Sequence, residues 1–198
     1  MKQFELSGSP RENVGRQDAS ALRLSNRIPA VLYGGGNQVH FSVGKIEMDK
    51  IMAMSDTLQI NLDINGTKYS SIIQEVQRHP VTDKIVHLDF LELVPGKAVK
   101  TSLPVRVTGN SEGVKAGGRL AINYRKVRVF AKPEDLPNDI TLDITKLNIG
   151  DMIRVREVQI PGVVFLEADA SAILAIQATR ASIAASQAEE APAKGKKK

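Results

Sequence analysis

Residues 74–89 bring together Gln74, Gln77, Arg78, His79, His87 and Asp89, the densest mixture of hydrogen-bonding side chains in the chain. Glutamine offers a donor and an acceptor, histidine can bond or stack, guanidinium only donates and carboxylate only accepts. That mixture suits base edges and ribose hydroxyls better than it suits a catalytic cycle. Val86, Leu88 and Phe90 alternate with His87 and Asp89. A strand of period two would therefore bury the three apolar residues and turn the two polar ones outward. Pro80 followed by Thr82-Asp83-Lys84 predicts a turn that lays this strand beside the one ending near Gln77, so that one sheet surface carries all six polar groups.

Other chemistries have to be set against this one. His87-x-Asp89 with His79 or His40 has the ligand types of a 2-His-1-carboxylate iron site, and a non-haem metal-binding β protein is one alternative. The charge of Arg78 beside His79 opposes a divalent cation there. With no Cys and no recognised histidine spacing, zinc has no support. No G-x-S-x-G elbow is present, so no catalysis and no cofactor are expected. A second alternative is a β-rich protein-interaction module whose polar strand merely faces solvent.

The elements that would position these residues form an α+β unit over residues 1–95. Short strands are predicted at 4–6, 30–33 and 39–43, with helices over 16–26 and 45–54. The helix at 45–54 turns Ile51 and Met52 to the core. A hairpin spans 57–64 and 68–77 around Asn65-Gly66, the strongest short-range hairpin signal in the chain. Helical spacing places Arg16, Arg23 and Arg27 in one stripe, with Arg11 just upstream, either as a phosphate ridge or as a solvated face. Tyr33, ahead of three glycines, is either a half-buried core residue or a ring offered to a ribose or base. The three glycines lack the GK[ST] ending of a phosphate loop.

After Val94-Pro95-Gly96, strand-like stretches at 101–107, 123–131, 140–144, 152–158, 163–166 and 172–176 predict a second β-rich domain over 96–180. Residues 181–198, rich in Ala, Glu and Lys, are expected to be a disordered Lys-rich tail. The fold class is thus mainly β with short helices. Only 4% of residues are aromatic, so Val, Ile and Leu must build the cores. No secretory signal or membrane-length apolar run is visible, and a cytoplasmic protein with no membrane partner is expected.

The net charge of +5 is unevenly placed. Residues 1–95 hold 10 Lys and Arg against 11 Asp and Glu, whereas residues 96–180 hold 13 against 9. If the first unit binds RNA, it must do so through local placement and shape, with the electrostatics concentrated in a few arginines. In the second, Lys115, Arg119, Arg125, Lys126 and Arg128 occur with no acid between Gly113 and Phe130, either as a solvated face or as a secondary contact with RNA or a neighbouring protein.

The string QEVQRHP followed by HLDF, with IPAVLYGGG upstream, resembles the 5S-rRNA-binding ribosomal protein twenty-five family of bacterial large subunits, in its long general-stress or Ctc form. KPEDLP and Leu147-Asn148-Ile149-Gly150-Asp151 extend the resemblance into the second half. The resemblance implies a small N-terminal β-barrel that binds 5S rRNA in the central protuberance, followed by the β-rich Ctc domain. It implies a monomer within the ribosome, meeting 5S rRNA and neighbouring ribosomal proteins. On this likeness Arg11, Arg16, Arg23 and Arg27 hold phosphates, Tyr33 meets a ribose or base, and Gln74, Gln77, Arg78, His79, His87 and Asp89 face a wide minor groove. Ser20-Ala21 stands where the family commonly has two basic residues, which would flatten the salt dependence by roughly 0.9 for each phosphate not neutralised.

Overall fold

A computed structural model describes residues 2–54 and 56–180. The tail expected to be disordered, residues 181–198, lies outside the described residues. In the first half, β1 (Lys2–Pro10), β2 (Arg27–Tyr33), β3 (Val39–Gly44), β4 (Leu58–Ile64), β5 (Thr67–Arg78) and β6 (Ile85–Glu92) close into a six-stranded barrel. The order around the barrel is β1-β3-β2-β6-β5-β4. β1–β4 and β2–β6 pair in parallel, and the other neighbours are antiparallel. Closure leaves no free strand edge, which a polar binding face on a small sheet would otherwise sit beside.

Alternation fills the interior. β4 buries Leu58, Ile60, Leu62 and Ile64 in strict period two, and Phe41 packs on Phe90 with ring centroids 5.5 Å apart at 46°. Helix α2 (Lys45–Ala53) adds Met48 and Ile51, while Met52 only packs at the margin. The β4–β5 turn forms where the sequence requires it. Asn65 (φ 55°) and Gly66 (φ 84°) both take left-handed backbone, the pairing expected of a two-residue hairpin turn. Helix α1 (Arg16–Leu24) is shorter than predicted, because Asn26 at φ 55° breaks it. Arg27 consequently opens β2 and is not part of any helical stripe.

The second half holds β7 (Val99–Thr108), a short helix α3 (Glu112–Lys115), β8 (Arg119–Ile122), β9 (Lys126–Ala131), β10 (Ile140–Asp143), β11 (Met152–Arg154), β12 (Val163–Phe165) and β13 (Ala172–Gln177). β10-β7-β9-β12 form one sheet and β11-β13-β8 another. Two expectations need correction. The strand predicted over 123–131 begins only at Lys126, because Asn123 and Tyr124 both donate backbone N–H groups to Ile173 O and turn the chain there. The stretch at 152–158 leaves the sheet at Val155 as a 3₁₀ turn.

The two halves pack against each other. Ile72 on β5 is fully buried in the second core, with Leu93 buried and Leu91 packed beside it. At that end, the outer face of β5 and β6 is covered. Lys97 Nζ donates to Gly34 O (3.1 Å) and Thr57 N–H to Asn138 O (3.2 Å), tying the barrel to the second domain at two further points. No helix among the described residues is long and apolar enough to cross a membrane.

Candidate nucleic-acid interface

The open end of β5 and β6 carries the polar face, and its geometry follows from two irregularities in their pairing. Ile73 lies opposite Phe90 and Glu75 opposite Asp89, so Gln74 is an extra residue on β5. Gln77 lies opposite His87 and Arg78 opposite Ile85, so Val86 is an extra residue on β6. A bulge of this kind re-aims the side chains on either side of it. Leu88 and Phe90 are completely buried, as the alternation requires, but Ile85 takes the inner position expected for Val86, which is only half-buried. The register puts Glu75, Gln77, His87 and Asp89 on one outward face as two cross-strand pairs.

Within that face His87 Nδ1–H donates to Asp89 Oδ1 at 2.8 Å, with the two side chains 29% and 23% exposed. A carboxylate only accepts, so Nδ1 carries the proton in this bond. Tyr33, at the end of β2, is half-buried. Burial first, then the charges of Asp89 and Glu75, hold its hydroxyl above the usual phenol range. It therefore remains a donor next to two carboxylates. The centre of the face is rich in acceptors, which match base amino groups and 2′-hydroxyls and repel phosphates. Glu75, inside the QEVQRHP string but not among the expected site residues, also belongs to this face. Its place opposite Asp89 depends on the bulge at Gln74, for which the sequence carries no local signal.

The remaining predicted residues do not all join that face. Gln74 and Arg78 line a cleft between the barrel and the second domain, so the six polar groups do not share one surface. His79 closes the turn after β5. Its ring Nδ1 accepts from the N–H groups of Val81 and Thr82 (3.3 and 3.2 Å), while Asp83 bonds back to His79 O. Arg11 does not present a free guanidinium, because it is spent on Asp18 (2.6 and 3.1 Å) and its side chain is 8% exposed. Arg27 braces three strands, donating to Ser42 Oγ (3.0 Å), Ser42 O (2.8 Å) and Ser9 Oγ (2.8 Å). Arg23 anchors α1 by donating from Nε to Val86 O (3.1 Å), and Arg16 is exposed beyond it. Ser20 and Ala21 are exposed on the same helix. His40 is separated from Asp89 by Val31 in the strand register, and among the described residues no three His, Cys, Asp or Glu side chains converge as a metal site requires.

Residues 6–90, the barrel with this face, match the model of the Ribosomal L25p family. The chain belongs to that family. Its residues 98–180 match the C-terminal domain of ribosomal protein TL5. Large ribosomal subunit protein bL25 of Porphyromonas gingivalis is 38% identical over 183 residues, covering 91% of this chain and 95% of the relative. The protein of that name from Parabacteroides distasonis is 39% identical over 186 residues, covering 91% and 96%. The one from Amoebophilus asiaticus is 35% identical over the whole length of both chains. The likeness thus includes both halves of the L25-family chain.

Proposed function

We propose that this chain binds 5S rRNA in the central protuberance of the large ribosomal subunit, as a monomer that also meets neighbouring ribosomal proteins. As a member of the L25 family it is a ribosomal protein of the bacterial cytoplasm, not an enzyme. The observation that carries the finer reading is the outward face in which Gln77 opposes His87 and Glu75 opposes Asp89, with His87 fixed on Asp89 at 2.8 Å. These groups match the 2′-hydroxyls and base edges of a wide, shallow RNA minor groove, whereas a helix flank bearing Arg16 and Arg23 takes the phosphates. Leu88 and Phe90 act through the core, fixing the register that sets the four polar side chains side by side.

The test is a 5S rRNA mobility shift with the full chain over a salt series. Affinity should fall as salt rises, and His87→Ala with Asp89→Ala should weaken binding by about 2–3 kcal/mol, the scale of charge-assisted hydrogen bonds. Circular dichroism should stay unchanged, since both side chains lie outside the core. Wild-type affinity in that double variant would sink the assignment of the face.

A further inference from the structure

The basic run in the second half of the sequence does not form one patch in space. Lys115 lies on α3 and Arg119 on β8, in a different sheet from the rest. Arg125, Lys126 and Arg128 instead meet Lys100 of β7 and Arg78 of the barrel along the cleft between the two halves, a space of about 1390 Å³. On β7 and β9 the buried residues alternate with outward ones. The register places Lys100 opposite Phe130, Ser102 opposite Arg128 and Pro104 opposite Lys126. Lys100, Arg125 and Lys126 form no ion pair among the described residues, while Arg128 is held by Glu167 at 2.7 Å and Arg78 by Asp83 at 3.3 Å. Among the described residues the one acid lining the cleft is Asp56, already engaged by Lys2 and Arg106. Phe130 is 37% exposed beside Lys100 and next to Val164, itself 60% exposed.

From this arrangement we propose a second nucleic-acid site, separate from the barrel face, in which the cleft takes a single strand of RNA. Its phosphates lie along Lys100, Arg125 and Lys126, and an unstacked base lies on Phe130, just past the Lys100 end of the cleft. Unneutralised cations lining a groove attract any polyanion. An exposed aromatic ring on the same outward sheet face, opposite Lys100, favours a nucleic acid over an acidic polypeptide, because a base has a flat face to stack and a carboxylate has none. Gln74 and Arg78 lie on the strand that carries the barrel face, so one RNA could pass from that face into the cleft.

Dodecauridylate is the probe, titrated by fluorescence anisotropy against the full chain at several salt concentrations. Replacing Lys100, Arg125 and Lys126 together by Ala should lower the slope of log affinity against log salt by about 2, near 0.7 for each single-strand phosphate released. Phe130→Ala should weaken binding roughly fivefold or more with the slope unchanged. His87→Ala with Asp89→Ala should leave dodecauridylate binding as in the wild type. Lys100, Arg125, Lys126 and Phe130 are solvent-exposed, and thermal melting checks that each variant is folded. Wild-type affinity and slope in the triple variant overturn the cleft site and leave the barrel reading standing. Wild-type 5S rRNA affinity in the His87→Ala/Asp89→Ala variant, with the triple variant losing dodecauridylate affinity and slope, does the reverse. If an acidic peptide such as dodecaglutamate displaces the probe as well as RNA does and Phe130→Ala is silent, the cleft is a protein-docking surface and the proposal fails.

Discussion

Arg27 and Arg16 bear the same charge eleven positions apart, but their surroundings divide structure from recognition. Arg27 makes three hydrogen bonds that join β1, β2 and β3, and Arg16 is exposed at the start of α1. Removing Arg27 leaves Ser42 O and two hydroxyls without their charged donor, which costs about 1.5–3 kcal/mol. At roughly 2–4 °C per kcal/mol for a chain of this size, Arg27→Ala should lower the melting temperature by several degrees. Its salt slope for 5S rRNA should not change. Arg16→Ala should do the opposite, holding the melting temperature and flattening the slope by roughly 0.7–0.9, the share of one phosphate. Salt titrations and melts of the two variants decide it, and an exchange of the two outcomes would reverse these roles. Helical spacing alone puts Arg27 and Arg16 in one stripe. What separates them is Asn26 in left-handed backbone, one residue that ends the helix early.

The elements are legible in the sequence to different degrees for a physical reason. A hairpin turn is written into adjacent residues, so Asn65-Gly66 announces β4 and β5 correctly, and the alternation of Leu88 and Phe90 announces the inner face of β6. A bulge is a property of two strands counted against each other, so the extra residues Gln74 and Val86 leave no mark in either strand alone. That is why Glu75, though inside the QEVQRHP string, is not singled out as a site residue, and why periodicity places Gln74 on the wrong surface. Barrel closure follows from resemblance and not from periodicity, and one tight point in it is similarly non-local. A Cβ on Gly8 of β1 would stand 2.7 Å from Cδ2 of Phe41 and 3.3 Å from Cγ1 of Ile64. Gly8→Ala should therefore destabilise the barrel by about 1–3 kcal/mol through overpacking. In a Phe41→Leu background the ring edge is gone, and the same substitution should cost less than half as much. Chemical denaturation of the four-member cycle measures this coupling, and strictly additive effects would mean that the ring is not the obstacle.

Across the whole molecule, Asp56 joins the halves. It follows α2 in the barrel and is bridged by Lys2 of β1 and Arg106 of β7, and Arg106 also pairs with Asp139 at 2.8 Å. The Asp56 side chain is only 8% exposed. The Lys2 hydrogen bond above all, then that of Arg106 and the charges of both, hold its carboxyl below the ordinary value of 3.8 against the opposing effect of burial. Because folding lowers this pKa, the carboxylate contributes its stabilisation fully above the unfolded-state value. That contribution is lost as pH falls through the lower folded-state value. Wild-type melting temperature should therefore hold from neutral pH to about pH 5 and then drop as Asp56 is protonated. Asp56→Asn should melt lower than the wild type at pH 7, fall less steeply under acid, and converge with it at the lowest pH. The variant keeps part of the acid sensitivity, since Thr145 lowers Asp143 and Arg128 lowers Glu167 in the same direction. Parallel curves for the two proteins down to about pH 2.5 would show that this carboxylate does not couple the barrel to the second domain.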